Sequence, residues 1–195
     1  MAETTTKSGE VSDKHRQTIA DYVSDMAALE AHIEEALDRQ LIEVKDDPDA
    51  IAAVREFHDL VKQHRDTLKA MEEETGKTIG TPIKEVGAAL IGKAAGIIDL
   101  VRTEGISKSL RDDYAAFSLA AISYSMLHTT AIALGDSRVA SLAERHLRDH
   151  ANAIMRINDI MPGVVTRELE KDGHRADNAA VGATREAVLR SWQQR

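Results

Sequence analysis

"AAVREFHDLVKQHRDTLKAMEEETG", Ala52 to Gly76, decides the fold. Val54, Phe57, Val61, Leu68 and Met71 recur at intervals of three and four, and His64 fills the one gap in that series. Such a stripe belongs to a helix that buries one face and leaves its charged residues on the other. Gly76 is a natural stop, because glycine takes the left-handed backbone that closes many helices. The stretch therefore predicts a long amphipathic helix from about Pro48 to Thr75, with one histidine placed among its core residues.

Working outward, "DDPD" (Asp46–Asp49) precedes this helix. Pro48 cannot continue a helix that arrives from the N-terminal side, and an aspartate beside it can cap the one that leaves. Before it, Ile19, Val23, Met26, Ile33, Leu37, Leu41 and Val44 trace a first helix from about Asp13 to Lys45. Residues 1–12 are small and polar and are expected to be disordered. Beyond Gly76, "KTIGTPIKEV" leads into a glycine-rich helix from Ile83 to about Thr103. Gly105 and Ser107 open a third long helix, to Leu134, with the stripe Leu110, Tyr114, Phe117, Ala121, Tyr124, His128 and Ala131. "GDS" (Gly135–Ser137) ends it and starts a fourth, from about Ser137 to Glu170, with "MPG" at Met161–Gly163 as a place for a kink.

Short links make antiparallel neighbours. Two hairpins joined by one long crossover form the topology of ferritin-like four-helix bundles. The expected architecture is all-α: an antiparallel bundle over residues 13–170, its crossover holding an extra helix. Residues 171–195 follow as a linker and a short amphipathic tail. Val188 and the sole tryptophan, Trp192, lie in that tail, which is net basic in an otherwise acidic chain. They are its candidate partner-docking residues.

Composition agrees with this architecture. Apolar residues make up 43% and aromatics 3%, so the core is built of Ala, Leu, Ile, Val and Met, which favours helix against helix. A net charge of −8 argues against nucleic acid and anionic membrane as partners. The absence of cysteine excludes disulfides, thiolate zinc sites and iron–sulfur clusters, and leaves His, Asp and Glu to hold any metal. "MAETTTKSGEVSDKHRQ" has no apolar core of a secretory signal, and "VGAALIGKAAGIIDLV" (Val86–Val101) is short for a membrane span and carries Lys93 and Asp99. The expectation is a cytoplasmic protein.

Function turns on polar residues that fall on inward stripes. Glu30 interrupts the first, His64 the second, Tyr124 and His128 the third, and His150 the fourth. A dinuclear carboxylate bundle takes a Glu from each of two helices and Glu-x-x-His from each of the others. Here Val61 stands three residues before His64 and Leu147 three before His150, and the third helix has no inward Glu. A di-iron ferroxidase needs about four carboxylates. The expected metal ligands are therefore Glu30, His64, His128 and His150 around a single Fe, Zn or Mn ion. The alternative is a polar network with no ion, in which facing groups satisfy one another. His146, one turn before His150, is expected to face water, and His58 to be exposed. "HLRDH" alone is too little for a hemerythrin-type site. No Ser–His–carboxylate set is evident, so the reading leans away from an enzyme.

"LEAHIEEAL" (Leu29–Leu37), the helix-two stretch above and "SLAERHLRDHANAIMRI" (Ser141–Ile157) resemble the YciE/YciF-like branch of the ferritin-like superfamily, a family of unknown function. The similarity runs from about Tyr22 to Ile160. Glu30 falls where that family places its first-helix Glu, His64 close to its second-helix His, and Asp149 and His150 where its fourth helix carries an acidic pair. Ser125 stands in place of the third-helix Glu. The resemblance implies a stress-linked protein that forms dimers of bundles, with a degenerate metal site. The competing expectation is a non-catalytic interaction module that dimerises and docks a partner through its tail.

Overall fold

The computed structural model describes residues 3–74 and 105–193. They form five helices: α1 (Glu3–Glu43), α2 (Pro48–Glu74), α3 (Ile106–Ala133), α4 (Ser137–Lys171) and α5 (Ala179–Gln193). No strand occurs among the described residues. α1 packs on α2 and α3 on α4; the hairpins meet with α1 against α3 and α2 against α4, and α5 lies on α4. Glu30 meets Tyr124 while Gln40 meets Asp113, so α3 runs antiparallel to α1. α2 therefore ends at one end of the bundle and α3 begins at the other, and the hairpins are joined by a crossover. The glycine-rich helix expected at 83–103 lies outside the described residues.

The short links behave as their residues dictate. Asp47 caps α2 by accepting from the backbone of Asp49 and Ala50, both at 3.1 Å, with Pro48 at the first helical position, where no N–H is needed. At the other link, Gly135 takes φ +81°. Its N–H reaches Ile132 and that of Asp136 reaches Ala131, which satisfies the last carbonyls of α3. The Asp136 side chain then accepts from Val139 N at 3.0 Å and starts α4. α4 holds both loops at its far end. Arg167 makes a two-pronged pair with Asp47, at 2.7 and 2.9 Å, and Glu168 accepts from Ser107 N at 2.9 Å to cap α3. Gly105, at φ +125°, makes the approach to that cap, where a Cβ would meet the Glu168 carboxylate at 3.0 Å.

Two expectations change. α1 begins at Glu3 rather than Asp13, so most of the stretch read as disordered is helical. Residues 3–12 hold no proline, and extending a formed helix costs far less than nucleating one. α3 is turned by one position from its expected stripe. It buries Leu110, Asp113, Phe117, Ala120, Tyr124, Leu127 and Ala131, leaving Tyr114, Ala121 and His128 half-buried at the edge. Both stripes share Leu110, Phe117, Tyr124 and Ala131; burying Leu127 in place of His128 removes the more apolar side chain from water.

Candidate metal centre

The centre lies where all four bundle helices bring a polar group to the same level. α1 supplies Glu30, α2 His64, α3 Tyr124 and α4 both His146 and His150, all buried. Glu30 Oε1 is the hub. It lies 2.8 Å from His150 Nε2 and 3.1 Å from His64 Nδ1, and accepts from the Tyr124 hydroxyl at 2.7 Å. Tyr124 Oη in turn lies 2.9 Å from His146 Nδ1. Because the tyrosine proton goes to Glu30, this His146 nitrogen is assigned as the donor. His64 extends the network outward: its Nε2 is 3.3 Å from Asp149 Oδ2, and Asp149 is part-exposed.

Rings brace these groups. His64 and His146 stack at 3.7 Å between centroids, with only 10° between their planes. Phe117 packs on His150 at 5.5 Å, and Phe57 meets Phe117 edge-on at 5.1 Å. Both phenylalanines of this aromatic-poor chain thus wall the polar level with apolar surface. The electrostatics follow. Burial pushes the Glu30 carboxyl up, but His150 and His64 together outweigh it and hold the group well below the usual carboxylate range. Burial, with His64 adding to it, lowers His146 to about 3, so it is neutral at neutral pH. Burial and the Glu30 carboxylate push the Tyr124 phenol up, so it keeps its proton.

Glu30, His64 and His150 form a three-ligand set in which one ligand atom from each lies within 4.8 Å of the others. Two imidazoles and one carboxylate suit a divalent first-row ion. Bonds of ~2.1 Å at a tetrahedral ion would separate ligand atoms by about 3.4 Å, a few tenths of an ångström beyond the 2.8 and 3.1 Å that separate Glu30 Oε1 from His150 Nε2 and His64 Nδ1. Glu30 Oε2 and His150 Nδ1 are buried without a hydrogen-bond partner. An ion at the hub would let the carboxylate use its second oxygen, so the donor set fits. It does not fit a di-iron pair, since one carboxylate stands at this level where about four are needed.

Of the four ligands expected from sequence, three converge. His128 does not join them: it sits one turn beyond Tyr124 on α3, half-buried at the edge of the bundle. His146 was expected to face water and is only 4% exposed; its position on the stripe Ala143, His146, His150, Ala153 was the signal for burial. His58 is half-buried rather than exposed, and pairs with Asp38 at 2.9 Å. Two further polar pairs went unseen in the sequence. Gln40 Nε2 donates to Asp113 Oδ1 at 2.6 Å inside the core, and Arg65 pairs with the buried Glu34. In the tail, Val188 is half-buried while Leu189 and Trp192 are 48% and 56% exposed. Arg185 ties α5 to α4 through the backbone oxygen and carboxylate of Asp159.

Comparison with known proteins adds the following. The family described as "Domain of unknown function (DUF892)" matches residues 15–170. No curated protein matches the chain in sequence. Among solved structures, a protein from Xanthomonas campestris is similar at TM-score 0.67 and 17% identity, over 82% of this chain and 99% of its own. The E. coli stress protein YciF is similar at TM-score 0.60 and 16% identity, over 77% and 96%. YcfI from Rhodopseudomonas palustris gives TM-score 0.59 and 14% identity, over 74% and 92%. At these identities the likeness is one of fold.

Proposed function

The chain belongs to the family described as Domain of unknown function (DUF892), with a ferritin-like fold, and from that premise we propose that it binds one divalent transition-metal ion, Zn²⁺ or Fe²⁺. Glu30 Oε1, His64 Nδ1 and His150 Nε2 are the ligands, and the role is metal handling under stress. The observation that carries this reading is the convergence of the three ligand atoms at a buried level lined by apolar rings. A carboxylate and two imidazoles leave an open coordination position at a tetrahedral ion. A paired iron centre needs about four carboxylates and the ligand set here holds one, so oxidation of iron at a paired centre is not the activity proposed. The link to stress rests on the fold shared with YciF.

Titration with Co²⁺ tests the reading, because a tetrahedral Co²⁺ ion reports itself through visible absorption bands. The full chain is expected to develop such bands to a stoichiometry of one and to lose them on addition of Zn²⁺. The His64→Ala, His150→Ala double variant is expected to develop none. Bands that persist unchanged in the double variant, or that never form in the parent, would overturn the site.

A second reading is favoured by one observation, the exposure of Leu189 and Trp192 on α5. In it the tail docks the bundle onto a protein partner or a second copy of the chain. Truncation after Asp172 should then change the oligomeric state or the capture of a partner without changing the helicity of the bundle.

A further inference from the structure

His64 has two ring nitrogens, and both face carboxylates. Nδ1 looks inward to Glu30 Oε1 at 3.1 Å, and Nε2 looks outward to Asp149 Oδ2 at 3.3 Å. A neutral imidazole carries one proton. To bind an ion at the hub, Nδ1 must present its lone pair, so the proton must sit on Nε2 and needs an acceptor there. The His64 side chain is only 3% exposed, which leaves little room for water to serve. A carboxylate oxygen accepts, and Asp149 Oδ2 lies 3.3 Å from Nε2. We infer that Asp149 is a positioning residue for the metal centre: it holds His64 in the tautomer that offers Nδ1 to the ion. The inference rests on the metal reading above and extends it to a residue outside the ligand set.

Three features support the assignment. The stack of His64 on His146 fixes the plane of the ring but not which nitrogen bears the proton, so a separate group is needed for that. Asp149 and His150 are neighbours on α4, and successive helical positions point about 100° apart. One turn of α4 thus supplies a ligand to the ion and the orienting group of another ligand. Finally, the two histidine ligands differ. His150 Nδ1 is buried without a partner, whereas the outer nitrogen of His64 has one. Asp149 is also the member of the chain Asp149–His64–Glu30 that reaches solvent, its side chain being 35% exposed. Outer carboxylates that orient metal-bound histidines typically raise affinity ten- to a hundredfold. A contact of 3.3 Å is long for such a bond, which places the expected effect near tenfold.

The test is Zn²⁺ affinity by competition with a chromophoric chelator, in the parent chain, Asp149→Leu, Asp149→Glu and Glu30→Ala. Asp149→Leu cannot accept a hydrogen bond and is expected to bind Zn²⁺ about tenfold more weakly, with Asp149→Glu recovering much of the loss. Glu30→Ala is expected to abolish tight binding. Unchanged affinity in Asp149→Leu, with binding lost in Glu30→Ala, would overturn the role of Asp149 and leave the metal site standing. No Zn²⁺ binding by the parent would overturn both. Nitrogen-15 NMR of the Zn²⁺-loaded parent decides the matter even if Asp149→Leu fails to fold. Nε2 of His64 should be protonated and Nδ1 metal-bound; the reverse would contradict the inference.

Discussion

Two carboxylates lie in the same bundle core and titrate in opposite directions. Glu30 and Asp113 are both essentially buried, on α1 and α3, and each sits in a polar level crossed by both helices. The levels are separated by the ten residues from Glu30 to Gln40, about 15 Å of helix. At the first, two histidines hold Glu30 ionised against the cost of burial. At the second, burial raises Asp113 to about 7, and the hydrogen bond from Gln40 only partly offsets that. The difference is in the partners. Four helices contribute to the Glu30 level, and the His64 and His150 ring nitrogens answer the charge. The Asp113 level offers one amide, and it leaves Gln40 Oε1 and Asp113 Oδ2 without partners. Burial alone therefore does not make a ligand; the neighbours decide whether a buried carboxylate holds a charge or a proton.

The largest way to break this comparison is to remove Glu30. In Glu30→Ala, the inner nitrogens of His64 and His150 and the Tyr124 hydroxyl lose their shared acceptor. Breaking a buried charged pair from one side costs about 3–5 kcal/mol. Urea denaturation with chelator present should show a loss of that order, and a loss below about 1 kcal/mol would mean that the level is not organised around Glu30. The sign also follows from the shift. A carboxyl lowered in the fold contributes stability that is present above its unfolded value near 4.5 and is lost as pH falls through the folded one.

Asp113→Asn sharpens the comparison from the other side. Its amide could donate to Gln40 Oε1 while its oxygen still accepts from Gln40 Nε2, so both orphaned atoms would be satisfied. Relief of buried unsatisfied groups is worth about 1–3 kcal/mol, and the variant is expected to be more stable than the parent by that much at pH 8. Because Asp113 holds its proton more tightly folded than unfolded, it makes stability fall as pH rises from about 4 to about 7, and adds no slope above that. Comparing the pH dependence of unfolding in the two proteins isolates this slope. No difference between them would place the proton elsewhere.

The smallest effect concerns the end of the bundle. Arg167 is 42% exposed where it grips Asp47, so solvent screens the pair. Arg167→Ala should cost about 1 kcal/mol or less, because Asp47 still caps α2 on its own. A cost as large as that of Glu30→Ala would show that the clamp, not the polar level, organises the bundle.

The fold was legible because each helix announces itself twice, by a stripe and by its ends. Pro48 with Asp47, and Gly135 with Asp136, mark links whose backbone admits little else. The stripes of α1, α2 and α4 are buried as read, with only Leu41 half-buried, which is why Glu30, His64 and His150 were recognised together. α3 was harder, since its apolar positions allow two stripes one residue apart. The wrong one brings His128 inward, and the observed one brings Asp113. His146 was missed although it lies on the α4 stripe, because a histidine is equally at home in water; in the fold it is buried and stacks on His64. Gln40 gave no signal, and Asp149 was singled out only by the family resemblance, because their roles depend on residues of α3 and α2 that sequence spacing cannot bring together.

The most direct measurement is anomalous diffraction from crystals of the full chain grown with Zn²⁺, recorded on both sides of the zinc absorption edge. The account predicts one peak per chain, about 2.0–2.2 Å from a Glu30 oxygen, His64 Nδ1 and His150 Nε2. An intact polar level with no peak between those atoms, or zinc found only on surface carboxylates, would contradict it.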